Sequence, residues 1–199
     1  MSAYPAEPWD LHGHAYIGAW VLPRPHLPAP HSPDTLPLTI FGRGFVGAAF
    51  FVYQQPSPLT YDEIMATVLV RQGWRVRVSI THIWVNSAAS RDGGRELWGI
   101  PKELADFEVV PHVSYTAPGI GSLVLRRVRR LPWALPAGFR IAQDRAGTLL
   151  VTPVTGRLRL GTAAAGWSFA ADGPLAFLHG RKPLLTLAAR PFSLLFGRR

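Results

Sequence analysis

The stretch "EIMATVLVRQGWRVRVSITHIWV", residues 63–85, decides the fold class because it holds two strand-like arms around one turn signal. β-Branched residues dominate the first arm, and from Trp74 onward the second arm alternates apolar with polar side chains. Alternation with a period of two is typical of a half-buried strand. The stretch therefore predicts a β-hairpin that turns at Gln72-Gly73. His82 falls on the apolar face of the second strand, where we expect a hydrogen-bonded core histidine.

Short apolar segments of this kind recur along the rest of the chain. The 19 prolines and 19 glycines leave little room for long helices, and 199 residues at 48% hydrophobic suffice for one buried core. We predict a mainly β single domain over residues 37–199, most simply an antiparallel barrel or sandwich with few helices. Residues 1–36 are rich in proline and predict an irregular N-terminal arm.

A short helix is predicted over "NSAASRDGGRELWG", residues 86–99. Asn86 or Ser87 can cap its start, and the Gly93-Gly94 pair interrupts or ends it. Further upstream, "TYDE" at residues 60–63 has the spacing of a helix-capping box, which would make Glu63 a cap. The β-branched residues that follow favour a strand instead, and Glu63 is then available to a site.

The net charge of +9 raises the question of nucleic-acid binding, because clustered arginines neutralise phosphates. The densest cluster is "RRVRR", Arg126–Arg130, and it lies in an alternating stretch. This context favours a strand with a solvated arginine face, and no recognisable nucleic-acid module accompanies it. We therefore expect no nucleic-acid partner.

The absence of cysteine excludes disulfides, thiolate metal sites and a cysteine nucleophile. The N-terminus has no signal-peptide pattern. The apolar C-terminal stretch, residues 183–199, is broken by Arg190 and Pro191 and is too short to span a bilayer. We expect a cytoplasmic protein with no membrane partner.

A glycine pattern, "GRGFVG" at residues 42–47, fits the G-x-G-x-x-G signal of dinucleotide-binding folds. However, Pro56 and Pro58 interrupt the route to the acid that should follow, and no succession of βα units is present. A bend or close packing in a barrel strand is the favoured interpretation of these glycines. We expect neither a cofactor nor a metal.

The stretch "GRELWGIPKELADFE", residues 94–108, places Lys102 directly after a proline. Of the 21 basic residues only Lys102 and Lys182 are lysines. An arginine is effectively never deprotonated, so it cannot serve as an amine nucleophile. The amine kept at position 102 is therefore either a reacting group or a surface charge.

This stretch resembles the signature of the acetoacetate decarboxylase family, in which Gly-Arg-Glu precedes an aromatic residue, a proline and the Schiff-base lysine. The resemblance is strongest over residues 82–108, with a weaker echo in "YDEIMATVLV", residues 61–70. It implies a closed antiparallel β-barrel-like fold with few short helices, an apolar cavity and a homo-oligomer. It also implies a Schiff-base-forming lyase, either a decarboxylase or an aldolase/dehydratase, that acts on a small keto acid or ketone.

The resemblance assigns a role to each matching residue. Lys102 takes the place of the nucleophile, and Glu63 that of the proton-transferring or substrate-orienting acid. Arg95 and Glu96 match the motif's own pair, which we expect to form an ion pair that braces the lysine loop. Trp98 lines the cavity or packs in the core. Because a nucleophilic amine must be neutral, we expect the site to depress the pKa of Lys102 by desolvation.

The chain departs from the family pattern at three places. Glu103 stands where the family has a second lysine, and in an extended segment it should face away from Lys102 and pair with an arginine. Ala48 stands at the place of the second site acid, and His14 is nearest to the place of a substrate-side arginine. These changes suggest a less acidic or bulkier ketone as substrate. They also support a second hypothesis, a non-catalytic small-molecule-binding relative with the same barrel and cavity.

Overall fold

The computed structural model describes residues 4–197, which are built almost entirely from strands. The strands are β1 (Trp9–Pro23), β2 (Leu36–Pro37), β3 (Thr39–Ile40), β4 (Arg43–Tyr53), β5 (Tyr61–Gln72), β6 (Arg75–Val85), β7 (Lys102–Leu104), β8 (Glu108–Val110), β9 (Ser114–Ala117), β10 (Gly121–Arg130), β11 (Leu135–Arg145), β12 (Thr148–Phe169) and β13 (Leu185–Phe196). One α-helix of this range, α1, spans Ala88–Trp98, and single 3-10 turns cover Arg24–His26 and Ala176–Leu178.

Seven strands form a closed ring in the order β11-β6-β5-β4-β1-β13-β12, with β11 and β12 paired to complete it. Neighbours in the ring are antiparallel except at the seam between β6 and β11, where Val78 and Ile141 pair in parallel. The long strand β12 continues beyond the ring beside β10, which carries β9 and β8. The predicted mainly β, barrel-like fold is confirmed.

Two apolar clusters occupy the two sides of the ring wall. One lies inside the ring, and the other lies outside it, between the ring strands and the sheet of β8–β10. Successive residues of a strand point to opposite sides, so Phe51 belongs to the inner cluster and Phe50 to the outer one. The period-two patterns in the sequence therefore assign side chains to one core or the other, rather than to core or solvent.

The hairpin predicted over residues 63–85 is present as β5 and β6. Its turn lies one residue later than expected, at Gly73-Trp74, because Gln72 pairs with Arg75 across the turn. Trp74 does not extend the apolar face, since it sits at the hairpin tip with 87% of its surface exposed.

A bulge interrupts the alternation of β6 between Ile80 and His82. Ile80 packs inside the ring, whereas His82 stacks on the outer side against Trp84. The predicted hydrogen bond of His82 is present, with Nδ1 3.0 Å from the Thr81 hydroxyl, but the ring is only half-buried. The inserted residue explains the difference, because it moves the following side chains to the other face.

The N-terminal region differs from the predicted irregular arm over residues 1–36. Residues 9–23 form β1, which pairs with both β4 and β13 at the centre of the sheet. The prolines misled the prediction because most of them lie in residues 23–37, after the strand, and the one inside β1 is its last residue, Pro23. Residues 1–3 of the predicted arm and 198–199 of the predicted β domain lie outside the described range.

Helix α1 begins after Ser87, whose side chain accepts a hydrogen bond from the backbone N–H of Ser90. It ends at Gly99, whose φ of 63° gives the left-handed cap that glycine favours. The predicted interruption at Gly93-Gly94 is wrong, because the helix runs through both glycines. A Cβ on Gly93 would lie 2.6 Å from the ring of Trp9, so this position needs glycine for close packing rather than for a break.

The glycine motif at residues 42–47 lies in the turn before β4 and in that strand. Added Cβ atoms at Gly44 and Gly47 would lie 2.7 Å from Leu27 and 2.8 Å from Thr67. Close packing in a barrel strand therefore explains these glycines, as the sequence indicated.

The T-x-x-E stretch does not cap a helix, because β5 begins at Tyr61 and Glu63 is a strand residue. The four arginines between Arg126 and Arg130 are exposed on β10, as expected for a solvated face. Among residues 4–197, no helix is long and apolar enough to cross a membrane.

Candidate active site

Lys102 is the first residue of β7, which pairs in parallel with the end of β6. Its side chain is buried, with 4% of its surface exposed, whereas the next residue, Glu103, is exposed. Alternation along an extended segment produces this difference. Lys102 is therefore not a surface charge.

Three oxygen atoms surround the Lys102 amine. Nζ lies 2.9 Å from Glu63 Oε2, 2.9 Å from Ser90 Oγ and 3.3 Å from the Tyr61 hydroxyl. Glu63 and Tyr61 come from β5, two residues apart on one face, and Ser90 comes from α1. The predicted pair of Lys102 and Glu63 is thus brought together as a buried ion pair.

A second tyrosine completes the hydrogen bonds of Glu63. The Tyr53 hydroxyl donates to Glu63 Oε1 at 3.1 Å, and its ring packs against that of Tyr61 with the centroids 4.4 Å apart. Burial raises the pKa of Tyr53 well above its usual value, and it also raises the pKa of Tyr61. Both phenols therefore stay protonated at physiological pH, with the Tyr53 hydroxyl donating to Glu63 and the Tyr61 hydroxyl accepting from Lys102.

The pKa of Lys102 responds to opposing influences. Burial alone lowers it, as the sequence led us to expect, but the neighbouring Glu63 carboxylate and the Tyr61 phenol raise it. The net pKa lies above the usual value for lysine, so the predicted depression of the pKa is wrong for the unliganded site. The unliganded site therefore holds Lys102 as an ammonium ion, stabilised by its carboxylate partner.

Helix α1 fixes the course of the lysine. Arg95 donates from Nε to the backbone carbonyl of Lys102 at 2.6 Å. A Cβ on Gly94 would lie 2.8 Å from Lys102 Cδ, so the aliphatic stem passes directly against the helix backbone. Ser90, one turn earlier, contacts the amine itself. One helix therefore positions the backbone, the stem and the amine of the same residue.

The amine faces a cavity of about 70 Å³ inside the ring. Among residues 4–197, Lys102 and Glu63 are the only charged residues that line it. Aromatic and aliphatic side chains form the rest of the wall, among them Trp9, Leu11, Phe51, Tyr53, Tyr61, Ile80, Trp98, Ile141, Leu194 and Phe196. The arrangement is an amine with a carboxylate in an otherwise apolar and enclosed site.

Trp98, Arg95 and Glu96 agree only in part with the roles predicted for them. Trp98 both lines the cavity and packs in the core, edge-on to Trp9, while its indole N–H donates to Glu7. Arg95 braces the lysine segment through the carbonyl described above. No ion pair joins Arg95 to Glu96 in the described structure, so the predicted pair is absent and the bracing is done by Arg95 alone.

His14 is not brought to Lys102. It lies on the even-numbered face of β1 with Tyr16, outside the ring, and its Nε2 is 3.0 Å from the Tyr115 hydroxyl. Glu103 faces away from Lys102 as expected, but its partner is the indole N–H of Trp84 at 3.1 Å rather than an arginine. Ala48 also faces the outer cluster.

Sequence reasoning missed Tyr53, Tyr61 and Ser90. Tyr61 had a signal, because it precedes Glu63 by two residues and must share its face of β5. Ser90 lies one turn before Gly94 on the helix, but its place beside the amine depends on how α1 packs against the lysine segment. Tyr53 pairs with Tyr61 across β4 and β5, which is known only once the strand register is known. Within residues 4–197, no group of three or more potential metal ligands is present.

The fold and the site together define a class of protein: a closed antiparallel strand ring with a buried lysine–glutamate pair in an apolar cavity. The sequence profile of the family described as acetoacetate decarboxylase (ADC) matches residues 33–126, which include Glu63, Ser90 and Lys102. Residues 33–126 are therefore similar to the acetoacetate decarboxylase family, as the motif predicted. A search of the curated proteins found no match.

Solved structures share the fold at low sequence identity. An acetoacetate decarboxylase from Legionella pneumophila aligns with a TM-score of 0.62 at 17% identity, over 98% of this chain and 86% of its own. An acetoacetate decarboxylase-like enzyme from Sphingomonas wittichii aligns with a TM-score of 0.61 at 14% identity, over 98% and 92%. The enduracididine biosynthesis enzyme MppR, complexed with pyruvate, aligns with a TM-score of 0.60 at 14% identity, over 96% and 88%.

Proposed function

We propose that this protein is a Schiff-base-forming lyase, a decarboxylase or an aldolase/dehydratase, that acts on a small keto acid through Lys102. The observation that carries the proposal is the buried Lys102 amine, 2.9 Å from Glu63 and facing an apolar cavity. The MppR structure with pyruvate supports a keto acid as the ligand class, because it shows a related fold holding one.

The chemistry begins with a neutral amine. The Lys102 amine attacks the ketone carbon to form a carbinolamine, which loses water to give an iminium ion. For decarboxylation, the iminium accepts the electron pair of the bond to the carboxylate, so carbon dioxide leaves and an enamine remains. The enamine takes a proton on carbon, and water then hydrolyses the product iminium to release the ketone and the free amine.

Glu63 is the group that can make Lys102 neutral. In the apolar cavity the charged pair is poorly solvated, and transfer of the ammonium proton from Nζ to Oε2 removes both charges. The protonated Glu63 then lies within reach of the reacting atoms as a general acid. Ser90 and Tyr61 can hydrogen-bond to the amine before and after this transfer.

Borohydride trapping with pyruvate and acetoacetate tests the proposal. Reduction of the iminium should add a covalent adduct whose mass and peptide map place it on Lys102. Lys102→Arg should abolish the adduct, while Lys182→Arg, which changes the only other lysine, should retain it. An adduct that survives in Lys102→Arg, or the failure of every keto acid to give an adduct with folded protein, would refute this mechanism.

A binding protein without turnover is the second candidate, and one observation favours it. The raised pKa of Lys102 and its ion pair with Glu63 both oppose formation of the free amine. In that case keto acids should bind, as measured by calorimetry, without carbon dioxide release and without a trapped adduct.

A further inference from the structure

A second cavity continues from the Lys102 site along the inside of the ring. It has a volume of about 180 Å³ and shares six lining residues with the first cavity, namely Phe51, Met65, Thr67, Val78, Phe139 and Leu194. The two cavities therefore adjoin along these walls, and we treat them as one elongated space. The Lys102 amine lies at one end of that space.

The wall of the second cavity carries no charge. Thr67 provides the only side-chain polar atom, and the remaining lining residues are aliphatic, aromatic or glycine. Small residues on one strand leave the room, since Gly47 and Ala49 follow each other on the inward face of β4. A polar or charged extension of a ligand would find no partner there and would lose its hydration.

The space is too long for a ligand of acetoacetate size. From Glu63, beside the amine, to Thr67, in the second cavity, β5 advances four residues, about 13 Å at the rise of a strand. A short keto acid held at Lys102 would leave the second cavity unfilled.

Apolar side chains near the end of the ring opposite Lys102 are partly exposed to solvent. Phe139 on the wall of the second cavity is 42% exposed. One step further along the inward face of β4, Phe45 is 39% exposed, and Leu185 at the start of β13 is 46% exposed. This end of the ring therefore presents apolar side chains on the side away from the lysine.

We propose that the substrate of this site carries an extended, unbranched apolar tail, which lies in the second cavity while its carbonyl carbon reacts at Lys102. The proposal rests on the function proposed above and specifies its substrate class as a medium-chain keto acid or alkyl ketone. Tail burial supplies the binding, and the pair of Lys102 and Glu63 supplies the chemistry. No arginine of the described residues lines either cavity, which agrees with a ligand held by its apolar part.

A series of methyl ketones tests the tail: acetone, methyl propyl ketone, methyl hexyl ketone and methyl nonyl ketone. Borohydride trapping at increasing concentrations gives an apparent Kd for each. Burial of one methylene corresponds to about a fourfold gain in affinity, so the apparent Kd should fall by about that factor per added carbon until the tail fills the cavity.

Leu158→Trp provides the blocking variant. Leu158 lines the second cavity only and is half-buried, so a larger ring can enter the cavity without disrupting the site at Lys102. This change should raise the apparent Kd of methyl nonyl ketone by about tenfold or more and leave that of acetone unchanged. Arg159→Trp is the matched control, because it adds the same ring to the adjacent, exposed position of β12 and should change neither value.

Calorimetry with methyl nonyl ketone and Lys102→Met separates the two proposals. Tail-dependent binding to both proteins, with no adduct trapped on the unmodified protein, would support the apolar site and refute the Schiff base. Trapping on Lys102 with equal Kd values across the series would support the Schiff base and overturn the tail site. Equal effects of Leu158→Trp on acetone and on methyl nonyl ketone would also overturn it.

Discussion

At the scale of single residues, the site is governed by one carboxylate. Glu63 raises the pKa of an amine that burial alone would lower. The same carboxylate accepts hydrogen bonds from Lys102 and Tyr53 and is almost fully buried. Stabilisation of the charged amine and, in the proposed reaction, acceptance of its proton are therefore two roles of one carboxylate.

Glu63→Gln should separate these two roles. Without the carboxylate, desolvation is the main remaining influence on Lys102, so its pKa should fall. Because trapping requires the neutral amine, the pH profile of acetone trapping should move to lower pH. Turnover of the true substrate should nevertheless fall by about 10²- to 10⁴-fold, since the acid–base group is lost.

Glu103→Gln is the control for this experiment. It neutralises an adjacent glutamate that faces away from the amine and is exposed. The trapping profile should stay where it is in the unmodified protein. An equal displacement in both variants would show that general charge, rather than the contact with Glu63, sets the pKa of Lys102.

Sequence motifs identified the two residues of the buried ion pair but not the other residues of the site. Lys102 and Glu63 were predicted because each belongs to a stretch with a family pattern. Ser90 and Tyr53 were not, because their place depends on how α1 and β4 pack against β5. The site role predicted for His14 was wrong. Alternation shows only that neighbouring residues of β1 point to opposite sides of the strand, and the register across the ring decides which of those sides faces the cavity.

At the scale of elements, α1 holds the lysine through close contact rather than through charge. Gly94 allows the Lys102 stem to lie against the helix backbone. A glycine within a helix costs about 1 kcal/mol relative to alanine, so its presence here indicates a packing requirement.

Gly94→Ala should therefore slow the reaction of Lys102 with a ketone and leave the stability of the protein nearly unchanged. The added methyl would meet Lys102 Cδ at 2.8 Å and displace the amine from Glu63. We expect the trapping rate to fall by about tenfold or more, since small misplacements of reacting groups are costly. Thermal unfolding should change little, because the gain in helix propensity of about 1 kcal/mol offsets the strain.

The same methyl at Gly166 serves as the control. Nothing lies within 4 Å of a Cβ built there, so Gly166→Ala should leave trapping unchanged. Equal losses in the two alanine variants would contradict a specific contact between Gly94 and the lysine.

At the scale of the whole molecule, the ring closes at its weakest pairing. Between β6 and β11 a single parallel bridge is formed, and the buried Gln143 side chain extends it. Its amide nitrogen donates to the Ile80 carbonyl and its amide oxygen accepts from the Ile80 N–H, both at 2.9 Å. The amide side chain acts as one further residue of strand pairing, which the sequence could not indicate because the seam joins distant segments.

Gln143→Leu should therefore open the seam. It leaves the buried N–H and C=O of Ile80 without partners, which we expect to lower the free energy of unfolding by about 2–4 kcal/mol. Chemical denaturation measures the loss. Gln72→Leu, at the half-buried end of β5, should cost less than about 0.5 kcal/mol, and a similar loss in both variants would argue against a role for the seam.

Acid should destabilise the molecule through its outer core. Burial lowers the pKa of His14 from 6.5 to about 4, with contributions from His112 and Arg190, and its ring faces Tyr16 and Tyr115. Below pH 6.5 the unfolded chain binds this proton more readily than the folded chain, so stability falls as the pH drops towards about 4.

The loss attributable to His14 is about 2 kcal/mol once solvent screening is allowed for. Denaturation midpoints between neutral and acid pH should show it in the unmodified protein and show less of it in His14→Gln. Parallel pH curves for the two proteins would exclude His14 as the acid-sensitive group.

The dependence of Lys102 on α1 has a consequence for redesign. Eleven residues, Ala88–Trp98, carry the hydroxyl near the amine, the glycine beside its stem and the arginine on its carbonyl. The ring supplies the carboxylate, the phenols and most of the apolar cavity, to which the helix adds only Trp98 among its residues. A library of variants confined to the helix and keeping Trp98 should therefore change the reactivity of the amine, while the cavity continues to select the ligand.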